Sequence, residues 1–173
     1  MAFVEVNPYE FDEPIIGLLE KEWALAMAGS SPDDCNAMTI EWGHIGNIWG
    51  NPSATVYIRG SRYTKQFIDA NDTFSVCFLP TELHDLHKVF GTKSGRDMNK
   101  TQATGLTPVM VDGTPIYKES RLVFVCRKVY ANVLERENFI GDSGASRFYA
   151  HAQTENDLHT MYIGFIEKIL RKE

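Results

Sequence analysis

A run rich in β-branched and aromatic residues, Ser53-Ala-Thr-Val-Tyr-Ile-Arg59, is followed after one glycine by Ser61-Arg-Tyr-Thr64 and then by Lys65-Gln-Phe-Ile-Asp-Ala70. The first run has strand composition, and the pattern predicts a helix over Ser61–Ala70 with Ser61 as its N-cap and Phe67 and Ile68 turned inward. A strand-to-helix turn leaves backbone N–H groups unpaired at the positive end of the helix dipole, where a phosphate fits. Arg59 and Arg62 would add charge there, and Ser61, Tyr63 and Thr64 would add hydroxyls. On its own, the segment also reads as an ordinary serine-capped helix with exposed arginines.

Two further constellations have residue types suited to binding. Gly91-Thr-Lys-Ser-Gly-Arg-Asp97, followed by Lys100, is a small-residue loop that can bring backbone and positive charge close to a ligand. It is not a Walker loop, because Thr92 separates Gly91 from Lys93, and alone it also fits a solvated loop. Asn36-Ala-Met-Thr-Ile-Glu-Trp-Gly43 sets an amide, a thioether, a hydroxyl and an indole along one short strand, a mixture that suits the edge of a planar heterocycle. It equally fits a barrel strand with a buried tryptophan.

Other reactive residue types form no pattern. His84 and His87 lack the glutamate and second-turn histidine of a zinc-protease helix and read as a polar helix face. His44, His151 and His159 have no fixed partner in sequence, so no hydrolytic triad is assigned. Cys35, Cys77 and Cys126 are widely spaced and read as buried thiols, not as a disulfide framework or a metal cage.

The elements that must position these groups are mostly strands. Trp23, Leu25 and Met27 alternate with Ala24, Ala26 and Ala28 before the turn-forming Gly29–Asp34, and a second strand should start near Cys35. Gly43, Gly46, Gly50 and Pro52 predict an irregular stretch. Thr73–Leu79 reads as a strand stopped by Pro80. Leu83–Phe90 reads as a helix with Leu83, Leu86, Val89 and Phe90 on one face, and Asp97–Ala103 as another, capped by Asp97. Val109–Val111, Ile116–Tyr117, Arg121–Leu134 and Met161–Leu170 read as strands, and Gly141–Ser146 as a loop. Adjacent strands with short turns and inserted helices favour an antiparallel barrel over a doubly wound parallel sheet.

The chain has 173 residues, 43% apolar and 23% charged, which suits one soluble domain. No apolar run is long enough for a membrane helix, and the N-terminus lacks a signal-peptide layout, so a cytoplasmic location is expected, with no membrane partner. The formal charge of −6 argues against a nucleic-acid surface. Positive charge is nevertheless concentrated. From Arg59 to Lys100 lie seven of the 17 Lys and Arg residues, against five acids, an asymmetry that suits a small anion.

Asn36-Ala-Met-Thr39 with Trp42-Gly43, then Thr55–Arg59 with Ser61-Arg-Tyr-Thr64, then Ser94-Gly-Arg-Asp97 with Lys100, resembles the flavin reductase-like, flavoredoxin-type branch of the FMN-binding split barrels. The likeness covers roughly Glu22 to Tyr130 and is weaker beyond, where only Met161-Tyr-Ile-Gly164 matches the family's closing strand. Gly60, Glu41 and Met98-Asn99 depart from the usual pattern.

The resemblance implies a mainly β protein: one domain over residues 1–173, a six-stranded antiparallel Greek-key split barrel, forming a homodimer with FMN near the subunit interface. Ser61, Arg62, Tyr63 and Thr64 would hold the phosphate with help from Arg59 and Lys100. Asn36, Ala37, Met38, Thr39 and Trp42 would line the isoalloxazine, and Ser94, Gly95, Arg96 and Asp97 would close over the ligand. The flavin would perform the chemistry with no catalytic side chain and no metal. NADH or NADPH would be co-substrate, or a redox partner protein would reduce the flavin.

Overall fold

A computed structural model describes residues 2–141, 144–151 and 155–173. In chain order its strands are β1 (Phe3–Val6), β2 (Ala24–Gly29), β3 (Cys35–Ile40), β4 (Gly43–Ile48), β5 (Asn51–Arg59), β6 (Thr73–Phe78), β7 (Pro108–Val111), β8 (Thr114–Tyr117), β9 (Leu122–Val133) and β10 (His159–Lys172). The helices are α1 (Ile15–Gly17, continued by a wider turn over Leu18–Glu22), α2 (Thr64–Ala70), α3 (His87–Thr92, after a 3-10 turn over Thr81–Leu86), α4 (Lys100–Thr104) and α5 (Ala145–Tyr149).

The main sheet runs β3-β2-β6-β9-β10-β5-β4, all antiparallel, with β1 added on β10. Its two end strands, β3 and β4, are joined by Glu41 and Trp42 alone. A link that short spans only about 10 Å, so the sheet curls until its ends meet. No ladder pairs β3 with β4, which leaves the barrel split at that seam. Gly43 completes the tight passage, since a Cβ there would lie 2.8 Å from the Thr55 carbonyl oxygen.

The alternation read at residues 23–28 serves two cores. Ala24, Ala26 and Ala28 face one with Phe74, Phe78, Phe124 and Tyr162, while Leu25 and Met27 face a second with Phe90, Ile116, Tyr117 and Val123. Helix α3 and the β7–β8 hairpin belong to that second layer, so the segment carrying Gly91–Lys100 is anchored through Phe90 against the barrel wall.

Several expectations need correction. The main sheet has eight strands, not six. β4 lies where glycines predicted irregularity, because backbone pairing with β5 overrides weak strand composition. Helix α2 begins at Thr64 and Ser61 does not cap it. Helix α4 is capped not by Asp97 but by Asn99, whose Oδ1 accepts from the Gln102 N–H at 3.0 Å. His87 is 1% exposed and so is no polar face. Cys77 and Cys126 are buried free thiols as expected, but Cys35 is only half-buried. Of the segment read as a loop near 141–146, Asp142 and Ser143 lie outside the described residues, and Ala145 already starts α5.

Candidate functional site

The turn after β5, the segment following α3 and the start of α4 enclose a cleft of about 190 Å³. Ser61, Arg62, Tyr63 and Thr64 form one wall, and Ser94, Gly95 and Arg96 the other, so two of the sequence constellations meet across it. Lys100, Thr92 and Lys93 complete it; the latter two lie in the Gly91–Asp97 loop, of which the resemblance implied only Ser94–Asp97 as ligand residues.

The cleft is cationic and tightly organised. Arg62 donates to the carbonyls of Gly91 at 2.9 Å and Phe90 at 3.2 Å, which ties α3 to the turn. Lys100 is 5% exposed and donates to the Ala37 carbonyl at 2.5 Å. Burial first, and Arg62 second, push its ammonium down to about 8. Burial, then Arg59, also lowers the Arg62 guanidinium. Two cations held this close are poised for an anion to relieve them.

Small side chains make the cleft possible. A Cβ on Gly95 would fall 2.3 Å from Asn36 Oδ1 and 2.7 Å from Tyr63 Cδ1, so only glycine lets the loop lie this near β3. Asn36 Nδ2 donates to Thr64 Oγ1 at 2.7 Å, fixing the first residue of α2. Arg96 donates to the Ser61 carbonyl at 3.1 Å and lies over the Tyr63 ring at 4.9 Å, closing the cleft from above.

Asp157, just before β10, was not read from the sequence. Its carboxylate accepts from the Ser61 N–H at 2.7 Å and from Ser61 Oγ at 2.6 Å, taking donors assigned to a ligand phosphate. Arg59 departs from expectation as well. It donates to the carbonyls of Phe148 and Asp157 and lies 5.4 Å from the centre of the Tyr149 ring, outside the cationic cleft. Asp97 is exposed and lines neither cleft.

At the barrel's seam, a second cleft of about 190 Å³ runs along β3 past Met38, Thr39 and Trp42. Trp42 packs edge-on against Phe148 of α5 at 4.7 Å and against His159 at 4.8 Å. Tyr149 hydroxyl and His159 Nδ1 lie 2.5 Å apart. Burial, then Arg59, pushes His159 down to about 4, so its ring is neutral at ordinary pH. Ala37 contributes only its carbonyl, to Lys100. Phe148 was missed because α5 is too short to show an amphipathic pattern, and His159, the first residue of β10, because its ring partner Trp42 is remote in sequence.

The fold is thus a split antiparallel barrel with a cationic pocket at a strand-to-helix turn and an aromatic slot at its seam. The chain belongs to the family described as flavin reductase like domain, whose model matches residues 24–172, so the likeness extends through β10.

Solved structures agree on the fold. A flavoredoxin from Methanosarcina acetivorans superposes with a TM-score of 0.66 at 22% identity, over 88% of this chain and 69% of its own. The FMN-binding domain of a flavin reductases-like enzyme from Shewanella baltica gives 0.67 at 17% identity, over 98% and 76%. An FMN-binding protein from Thermus thermophilus, solved with bound p-hydroxybenzaldehyde, gives 0.64 at 19%, over 97% and 83%. No curated protein matches the chain. Among the described residues no helix is long and apolar enough to cross a membrane.

Proposed function

We propose that the chain binds FMN and acts as a flavin reductase-like oxidoreductase, oxidising NADH or NADPH and passing the electrons to free flavin, another small acceptor or a partner protein. The cationic cleft carries this reading. Arg62, Lys93, Arg96 and Lys100 line it with no carboxylate among the lining residues, and Gly95 lets the loop that carries Arg96 pack directly against Asn36 and Tyr63. The Asp157 carboxylate on the Ser61 turn supports it too, because the turn's backbone and hydroxyl already bind an anionic oxygen pair.

When bound, FMN supplies two-electron redox chemistry at its ring. The chain's own residues hold and shield. Arg62 has five N–H donors, of which two bonds go to Phe90 and Gly91, and the others serve the phosphate with the Lys100 ammonium. Met38 and Trp42 wall the ring slot, and α5 covers it through Phe148. Neutral His159, held by the Tyr149 hydroxyl, adds an uncharged polar group to a slot that Glu41 and Arg59 also line.

The reading includes a homodimer in the cytoplasm. It is supported by exposed Ile16 at 79% and Trp49 at 63%, and by an apolar groove of Ile15, Ile16, Leu19, Tyr57 and Leu134 bordering the seam.

Stopped-flow mixing of FMN-loaded protein with NADH and with NADPH tests the activity. Loss of flavin absorbance at turnover rates is the expected result. The likeness to flavoredoxin supports a second reading, an electron carrier reduced by a partner protein, and slow bleaching with both nucleotides selects it.

A further inference from the structure

A third cleft, about 570 Å³, opens on the far side of Thr39 from the seam. It shares Thr92 with the cationic cleft and Thr39 and Glu41 with the ring slot, so it borders both. Its volume falls within the ~300–1,000 Å³ usual for small-molecule sites. Trp23, His84 and His87 build its aromatic side, with Trp23 and His84 rings 5.1 Å apart and His84 and His87 rings 5.4 Å apart.

Nothing in the fold accounts for two features of this wall. Trp23 has φ 56° and ψ 166°, a region reserved almost wholly for glycine. The Nε2 atoms of His84 and His87 are buried and, among the described residues, without a hydrogen-bond partner. A buried polar atom left unpaired is costly and calls for an explanation.

The hydrogen bonds fix what His87 Nε2 wants. Thr39 Oγ1 donates its single hydrogen to the His87 carbonyl at 2.8 Å, yet also lies 3.2 Å from His87 Nδ1. Nδ1 must therefore carry the ring proton and donate to Thr39. Nε2 is left with a bare lone pair, an acceptor awaiting a donor. Burial, then His84, pushes the ring down to about 4, which keeps it neutral.

Charge then decides the ligand's class. Glu41 and Asp85 oppose Lys88 around this cleft, whereas the neighbouring cleft carries cations alone. A second phosphate is disfavoured here. A flat uncharged ring is not, since indole and imidazole faces offer it stacking surfaces.

We propose that the Trp23–His84–His87 cleft binds an uncharged planar aromatic molecule whose O–H or N–H group donates to His87 Nε2, with the half-buried His84 ring turning aside to admit it. The site stands on its own geometry. Its role as the seat of a second reactant beside the ring slot rests on the flavin reading above.

Phenol and anisole separate the donor from the ring, because anisole is phenol's methyl ether and lacks the O–H. Calorimetric titration of the flavin-free protein should show phenol binding at least tenfold tighter than anisole, and His87→Phe should erase that difference. Should His87→Phe not fold, the ¹⁵N resonance of Nε2 in the unaltered protein gives the same answer, shifting with phenol and not with anisole. Equal affinities, no binding of either compound, or an unmoved Nε2 resonance would overturn the proposal. Repeating the titration with saturating FMN distinguishes the two readings. Retained phenol binding supports a separate site, and its loss shows the cleft to be the flavin's own. Failure of FMN itself to bind would sink the flavin reading while leaving the phenol–anisole comparison decisive.

Discussion

The cationic cleft is held by a few close contacts, and single residues should reveal them. Gly95 sits where a Cβ would overlap Asn36 Oδ1 at 2.3 Å. Gly95→Ala should therefore push the loop off β3 and weaken FMN binding by more than tenfold, measured by quenching of flavin fluorescence, while leaving thermal unfolding nearly unchanged. Lys100 links affinity to pH. Its ammonium titrates near 8 in the flavin-free protein because of burial and Arg62, and an adjacent dianion would raise that value. Binding then takes up a proton above pH 8, so FMN affinity should fall from pH 8 to pH 9.5, at most tenfold per unit, and Lys100→Met should flatten the profile. The sign follows from the bound state holding more protons than the free one.

Elements decide how these residues meet, and here the sequence was legible only in part. The alternating run at residues 23–28 and the β-branched Ser53–Arg59 were readable because the first sends alternate side chains into two cores and the second buries every other side chain from Ala54 to Ile58. β4, with Gly43, His44 and Gly46, was not, since its pairing with β5 is a backbone matter. The two walls of the cationic cleft come from segments that the sequence singles out, Ser61–Thr64 and Gly91–Asp97. Asp157, which holds the Ser61 turn beside the cleft, lies 96 residues from Ser61, and no local pattern reports a contact of that range. Arg59 was read as a phosphate ligand from its neighbours in sequence, but the carbonyls of Phe148 and Asp157 hold it beside Tyr149. The segment before β10 thus meets the turn after β5 with a carboxylate. Asp157→Asn keeps an acceptor for the Ser61 N–H and removes the charge. It should tighten FMN binding about two- to fivefold, the scale of a partly exposed charge interaction, in the same fluorescence titration.

At the scale of the molecule, burial of neutral histidines ties stability to pH. His87 at the start of α3 and His159 at the start of β10 both titrate near 4 in the fold, against 6.5 unfolded, mainly through burial. Between those values the unfolded chain binds more protons, so stability is lost as pH falls from 6.5 toward 4. Urea unfolding at pH 7 and pH 4.5 should show a decrease of order 3 kcal/mol per histidine at most, reduced by His87→Phe if that variant folds.

The barrel brings the turn after β5, the loop after α3 and the start of α4 together around one cationic pocket, and that convergence is the centre of the account. Titration of the flavin-free protein with FMN and with riboflavin, which lacks only the phosphate, tests it most directly. FMN should bind at least ~100-fold tighter, as expected of two charge-assisted contacts worth ~1.5–3 kcal/mol each, and Arg62→Ala with Lys100→Ala should close most of the gap. Equal affinity for the two compounds would contradict the account.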